Sequence, residues 1–152
     1  MRPVQATGVA EVSATSLSIA LTGSGGAGAM TAGELLLEAA ASGGWYGLMS
    51  RSFGPQIRGG EAAALVRLST GPVQSADDRY DLLVALDWGN VERFAAEIPL
   101  GGDSLVLADP AHGDVPDVIR SSGPRVAEAG LSELARECRG GRANMVALGI
   151  VA

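Results

Sequence analysis

Apolar positions in this chain fall into short runs separated by glycine, proline and polar turns. Leu17 to Leu21 reads as a buried strand. Met30 to Ser42, rich in Ala and Leu and closed by Gly43-Gly44, predicts a helix. It is apolar nearly all round, so deep burial is expected, with Glu34 and Glu38 marking its polar edge. Trp45 to Met49 is a candidate second strand, and Arg51 to Gly60 a loop. Ala62 to Leu68 reads as a third strand, turned by Gly71-Pro72. Tyr80 to Leu86 is the clearest buried strand, and Asn90 to Glu97 a short helix. Ser104 to Ala108 is a strand ending at Asp109-Pro110. Residues 111–127 read as irregular, with one strand near Val118, and Leu131 to Cys138 as helical. Strands alternating with helices predict an α/β fold: a three-layer Rossmann-like sandwich with a largely parallel or mixed sheet.

Composition sharpens this picture. A chain of 152 residues fits one domain, and 47% hydrophobic against 18% charged residues argues for a folded core. The net charge of −6 argues against a general nucleic-acid binder. No apolar run reaches the roughly 20 residues of a membrane helix. The first 16 residues read as a loose arm without a visible secretory leader, and with a single cysteine, Cys138, a cytoplasmic setting is expected. The last residues, Asn144 to Ala152, read as an apolar element that continues into further sequence, with a docked C-terminal helix or strand as the alternative. All 11 basic residues are arginine, which excludes a P-loop lysine or a Schiff-base lysine. One Cys and one His, His112, hold neither a four-cysteine cluster nor a zinc site. Neither a catalytic residue nor a metal ligand is therefore assigned in this chain.

The candidate chemistry lies in two glycine-rich stretches. Thr22-Gly23-Ser24-Gly25-Gly26-Ala27-Gly28 follows a strand and opens a helix. Glycine lets a phosphate approach the main chain, and the helix N-terminus offers free N–H groups and a positive dipole end. A nicotinamide dinucleotide would want an acid about 20 residues on, at the end of the second strand. Trp45 to Ser50 contains none. A tight turn without ligand, a dinucleotide and another phosphate-bearing ligand are the three readings, the last favoured. The second stretch, Ser50 to Glu61, contains Arg51, Arg58 and Gly59-Gly60. Its arginines suit phosphate by a planar fork, or pair with Glu61 or a partner.

The remaining polar residues have plainer readings. His112 sits in a turn, and Cys138 at a helix end reads as packing. Trp45 and Trp88 read as core or interface anchors. Asp87 and Asp109 end strands, where a carboxylate caps the next turn or faces a crevice. Arg136, Arg139 and Arg142 read as a solvated helix end, with a docking patch as the alternative.

Taken together, Ile19 to Gly28, Thr31 to Leu36, Ser52 to Glu61 and Val66 to Ser69 resemble the gamma subunit or domain of 2-oxoacid:ferredoxin oxidoreductases. The specific part is Gly54-Pro55-Gln56-Ile57-Arg58-Gly59-Gly60 following the glycine loop. Asp81 to Leu86 and Asn144 to Gly149 look like later blocks, so the resemblance covers most of residues 17–150. It departs at Ala27 and Ala29-Met30, where the family pattern carries a polar residue and valines. The resemblance implies a Rossmann-like domain that binds coenzyme A, with Gly23, Ser24, Gly25, Gly26, Ala27 and Gly28 cradling its phosphates and Arg58, Gly59 and Gly60 beside them. It also implies alpha and beta parts carrying thiamine diphosphate and Mg2+, [4Fe–4S] clusters in these or a ferredoxin-like delta part, and ferredoxin as acceptor. Two rivals stand beside it: a free-standing nucleotide-binding regulatory domain, and a small dehydrogenase, which the missing acid disfavours.

Overall fold

The computed structural model describes residues 15–53, 61–89 and 91–152. Six strands form one sheet: β1 (Ser16–Ser24), β2 (Tyr46–Phe53), β3 (Glu61–Ser69), β4 (Leu82–Ala85), β5 (Leu105–Ala108) and β6 (Arg125–Glu128). The helices are α1 (Ala29–Ser42), α2 (Val91–Phe94), α3 (Asp117–Arg120), α4 (Leu131–Glu137) and α5 (Ala143–Val151), with 3-10 turns at Ala95–Glu97 and Pro110–His112. The strand order is β2-β3-β1-β4-β5-β6. β1, β4, β5 and β6 are parallel, while β3 runs antiparallel to both β1 and β2. The sheet is thus mixed, with one reversed strand inserted between the first two.

Both faces of the sheet are covered, which explains why β1, β4 and β5 read as continuous apolar runs. Ile19, Leu21, Val84 and Leu107 pack with Leu36 of α1, Leu131 of α4 and Ala147 of α5. Their strand neighbours Ala20, Leu83 and Val106 point the other way, toward Val91, Ile98 and Ile119. The alternation makes the three expected layers. It also fixes a switch point. The connection after β1 passes over one face as α1, and that after β4 over the other as α2. A crevice therefore opens at the carboxyl ends of β1 and β4, the usual position of ligands in such sheets.

Four expectations are corrected. α1 is not buried all round: Ala29, Ala32, Gly33 and Leu36 face the sheet, while Leu35, Glu38, Ala39 and Ala41 are exposed. Alanine fills a stripe or tolerates water equally well, so its abundance does not predict burial. Arg51 to Phe53 belong to β2, because the β2–β3 ladder extends to Phe53↔Ala62. Val118 lies in α3, and the last strand comes later, at Arg125–Glu128. That strand sits at the sheet edge with Arg125, Val126 and Glu128 exposed, so it carries no apolar signature. Among the described residues, no helix is long and apolar enough to cross a membrane.

Candidate functional site

The stretch Gly23 to Gly28 lies at the carboxyl end of β1, as a turn leading directly into α1. Ala27 N–H donates to the Ser24 carbonyl at 2.9 Å, closing the turn. Gly28 is the N-cap of α1 at φ 90°, a left-handed conformation. Glycine is required there twice over, because a Cβ at Gly28 would also run into the Asn144 side chain. No side chain caps α1, and no acidic residue stands in its first turn. Its first N–H groups are therefore left to an outside acceptor.

Asp87, just past β4, holds the loop. Its carboxylate accepts the Ser24 N–H at 3.0 Å, the Ser24 hydroxyl at 2.7 Å and the Gly89 N–H at 2.9 Å. Of the two readings open to this residue, both apply in part: it caps its own turn and reaches across the β1/β4 crevice. Asp109, the corresponding residue after β5, is buried and accepts from Ala111 N–H at 3.0 Å and Ser132 N–H at 2.7 Å. Burial pushes its carboxyl upward. The Ser132 hydroxyl, the Ala111 and Ser132 N–H groups and nearby His112 pull harder, leaving it below its ordinary value. Asp109 thus joins the β5 end to the start of α4.

A cleft of about 410 Å³ opens over the start of α1. The glycine loop supplies Ser24, Gly26 and Gly28; the first turn of α1 supplies Ala29, Met30 and Thr31. The opposite wall is the start of α5, with Arg142, Asn144 and Met145. Asn144 Nδ2 donates to the Gly28 carbonyl at 3.2 Å, bracing the two walls. Arg142 and Asn144 were not singled out from the sequence as ligand contacts. Arg142 read as part of a solvated arginine cluster, and of that cluster it alone lines this cleft.

Arg58, Gly59 and Gly60 lie outside the described residues. Their flanks are placed: Glu61 pairs with Ser24 across the β1–β3 ladder, and Phe53 with Ala62. The second stretch thus leaves and rejoins the sheet at the same end as the glycine loop. His112 is exposed, with Nε2 3.4 Å from Ser132 Oγ, and Cys138 is exposed. Among the described residues, no cluster of His, Cys, Asp and Glu is arranged to hold a metal ion.

The architecture is an α/β domain with a glycine-rich loop leading into an uncapped helix at the carboxyl ends of parallel strands. The family model for pyruvate ferredoxin/flavodoxin oxidoreductase matches residues 18–152, and the chain belongs to that family. It is 33% identical over 135 residues to ketoisovalerate oxidoreductase subunit VorA of Methanothermobacter marburgensis, covering 88% of this chain and 27% of that protein. Pyruvate synthase subunit PorC of the same organism is 34% identical over 97 residues, 62% of this chain and 55% of that one. The chain therefore spans only part of the curated relatives it matches. Among solved structures, the keto/oxoacid ferredoxin oxidoreductase gamma subunit of Geobacter sulfurreducens has a TM-score of 0.69 at 28% identity, covering 89% of this chain and 75% of that one. The 2-oxoglutarate:ferredoxin oxidoreductase of Magnetococcus marinus, with 2-oxoglutarate, coenzyme A and succinyl-CoA bound, has a TM-score of 0.75 at 29% identity. That match covers 90% of this chain and 24% of that one. Within the family, the fold is that of the gamma part.

Proposed function

We propose that this chain is the gamma part of a thiamine-diphosphate-dependent 2-oxoacid:ferredoxin oxidoreductase in the cytoplasm, and that it contributes coenzyme A binding to oxidative decarboxylation of a 2-oxoacid to the acyl-CoA. The observation that carries the reading is the cleft at the start of α1, where glycine-loop and helix amides converge beside Arg142 in a chain of this family. Coenzyme A brings a pyrophosphate, which suits a helix N-terminus, and a thiol that accepts the acyl group. The loop Gly23 to Gly28 cradles the phosphates, with Ser24 and Ala27 fixing its shape through Asp87 and the closing turn bond. Arg58, Gly59 and Gly60 are assigned beside the phosphates, as the family resemblance implies. No bond-making step is assigned to a residue of this chain: its work is to bind and orient. Thiamine diphosphate, Mg2+ and [4Fe–4S] clusters belong to the alpha and beta parts and a ferredoxin-like delta part, with ferredoxin as acceptor.

The test is gentle anaerobic purification from native cells, followed by native mass spectrometry, a visible spectrum and calorimetric titration with coenzyme A. A large assembly with iron–sulfur absorption that binds coenzyme A is the expected result. A colourless protein without partners, under conditions that preserve complexes, would refute the oxidoreductase reading and leave a free-standing nucleotide-binding domain.

A further inference from the structure

The two sides of the glycine loop differ in charge and in free hydrogen-bonding capacity. Toward β4 stands the Asp87 carboxylate, and it already holds both the N–H and the hydroxyl of Ser24. A phosphate approaching from that side meets a negative group and finds the Ser24 donors taken. Toward α5 the arrangement is reversed. α1 and α5 both begin at the cleft, and neither has a side-chain cap or an acidic residue in its first turn. α2, α3 and α4 carry Glu92, Asp117 and Glu133 at that position. Two positive dipole ends therefore meet in one cleft without internal compensation. Arg142 lines the same cleft, is exposed, and has no carboxylate in ion-pair range among the described residues.

Asn144 adds an independent sign of a ligand. It lines the cleft yet is only 5% exposed. Its Nδ2 is committed to the Gly28 carbonyl, while its buried Oδ1 has no partner among the described residues. A buried amide oxygen left unpaired is costly and asks for an N–H or O–H donor.

We propose that the α5 side of the loop is the anion seat, with Arg142 as counter-ion and Asn144 Oδ1 as receptor for a neighbouring donor, and that Asp87 directs the anion there by occupying Ser24. The ligand class is a phosphate or pyrophosphate ester carrying an amide N–H or hydroxyl close to the phosphate. That the ester is coenzyme A rests on the function proposed above; the seat itself does not.

The experiment is calorimetric titration of the purified assembly with coenzyme A and, separately, with inorganic pyrophosphate, in wild type, Arg142→Ala, Arg142→Lys and Asp87→Asn. Removing one charge-assisted contact should weaken both ligands about tenfold to a hundredfold in Arg142→Ala, with partial recovery in Arg142→Lys. The melting temperature should hold in Arg142→Ala, because the side chain is exposed. Asp87→Asn should relax the preference and admit pyrophosphate more tightly. Coenzyme A binding that changes less than about twofold in Arg142→Ala, well under the worth of such a contact, overturns the seat while the coenzyme A reading stands. Pyrophosphate bound through Arg142 without coenzyme A binding overturns that reading and keeps the seat. Binding of neither ligand to wild type overturns both.

Discussion

Gly28→Ala is the sharpest probe of how the two cleft walls are joined. Two costs can be worked separately. An L-residue at φ 90° pays about 1–2 kcal/mol for the left-handed conformation. The new methyl would also press on the Asn144 amide, with its Cγ only 2.8 Å away. Asn144 is almost fully buried, so its amide must shift against packed surroundings to make room. Overpacking of this kind costs about 1–3 kcal/mol. The sum is roughly 2–5 kcal/mol, and for a chain of this size each kcal/mol lowers the melting temperature by about 2–4 °C.

Gly26→Ala supplies the control. Gly26 also has positive φ, at 97°, but a Cβ there meets nothing within 4 Å. It should show only the conformational part, about 1–2 kcal/mol. Urea unfolding of both variants, and of each in an Asn144→Ala background, completes the cycle. With the amide gone, the Gly28→Ala penalty should fall to the Gly26→Ala value, a coupling of about 1 kcal/mol or more. Equal penalties for the two glycines, or a Gly28→Ala penalty untouched by Asn144→Ala, would refute the claim that Asn144 braces the loop.

Asp87→Ala should lower stability by about 1.5–3 kcal/mol, because Ser24 loses a charged acceptor; a urea midpoint equal to wild type contradicts that role. Asp109 makes a pH prediction. Its folded pKa lies below the unfolded value near 3.8, so its contribution is present above that value and is lost as pH falls through the folded pKa. Asp109→Asn should therefore be less stable than wild type at neutral pH and should show a shallower loss below about pH 4; unchanged acid-limb slopes count against the assignment. Arg58→Ala should raise KM for coenzyme A in the assembled enzyme without lowering the melting temperature, and unchanged coenzyme A kinetics would remove Arg58 from the site.

Local pattern revealed much of this fold. β1, α1 and β4 announce themselves because strands buried on both faces must be apolar throughout, and because Gly43-Gly44 stops a helix wherever it occurs. β6 did not, since an exposed edge strand such as Arg125–Glu128 places no demand on hydrophobicity. The glycine loop was legible for the same local reason as the helix stop. The opposite wall was not: Asn144 meets Gly28 across 116 residues, and neither residue's neighbours encode that meeting. Asp87 lay between. A carboxylate at a strand end reads as a cap, and only the parallel pairing of β1 with β4 shows that its reach extends to Ser24.

The strand order strengthens the argument against a dinucleotide beyond the missing acid. In a dinucleotide fold the acid that grips the ribose ends the strand beside the first one. Here β3 is inserted between β1 and β2, so the end of β2 lies two strands from the glycine loop. At about 4.8 Å per strand, that is roughly 10 Å. An acid placed at the end of β2 would still stand too far from a ribose seated on the loop for a hydrogen bond. What stands nearer is the start of β3, where Glu61 is the ladder partner of Ser24. The insertion of β3 thus leaves no parallel strand on that side of β1 whose carboxyl end could present a ribose-binding acid to the loop, since β3 runs antiparallel and only begins there.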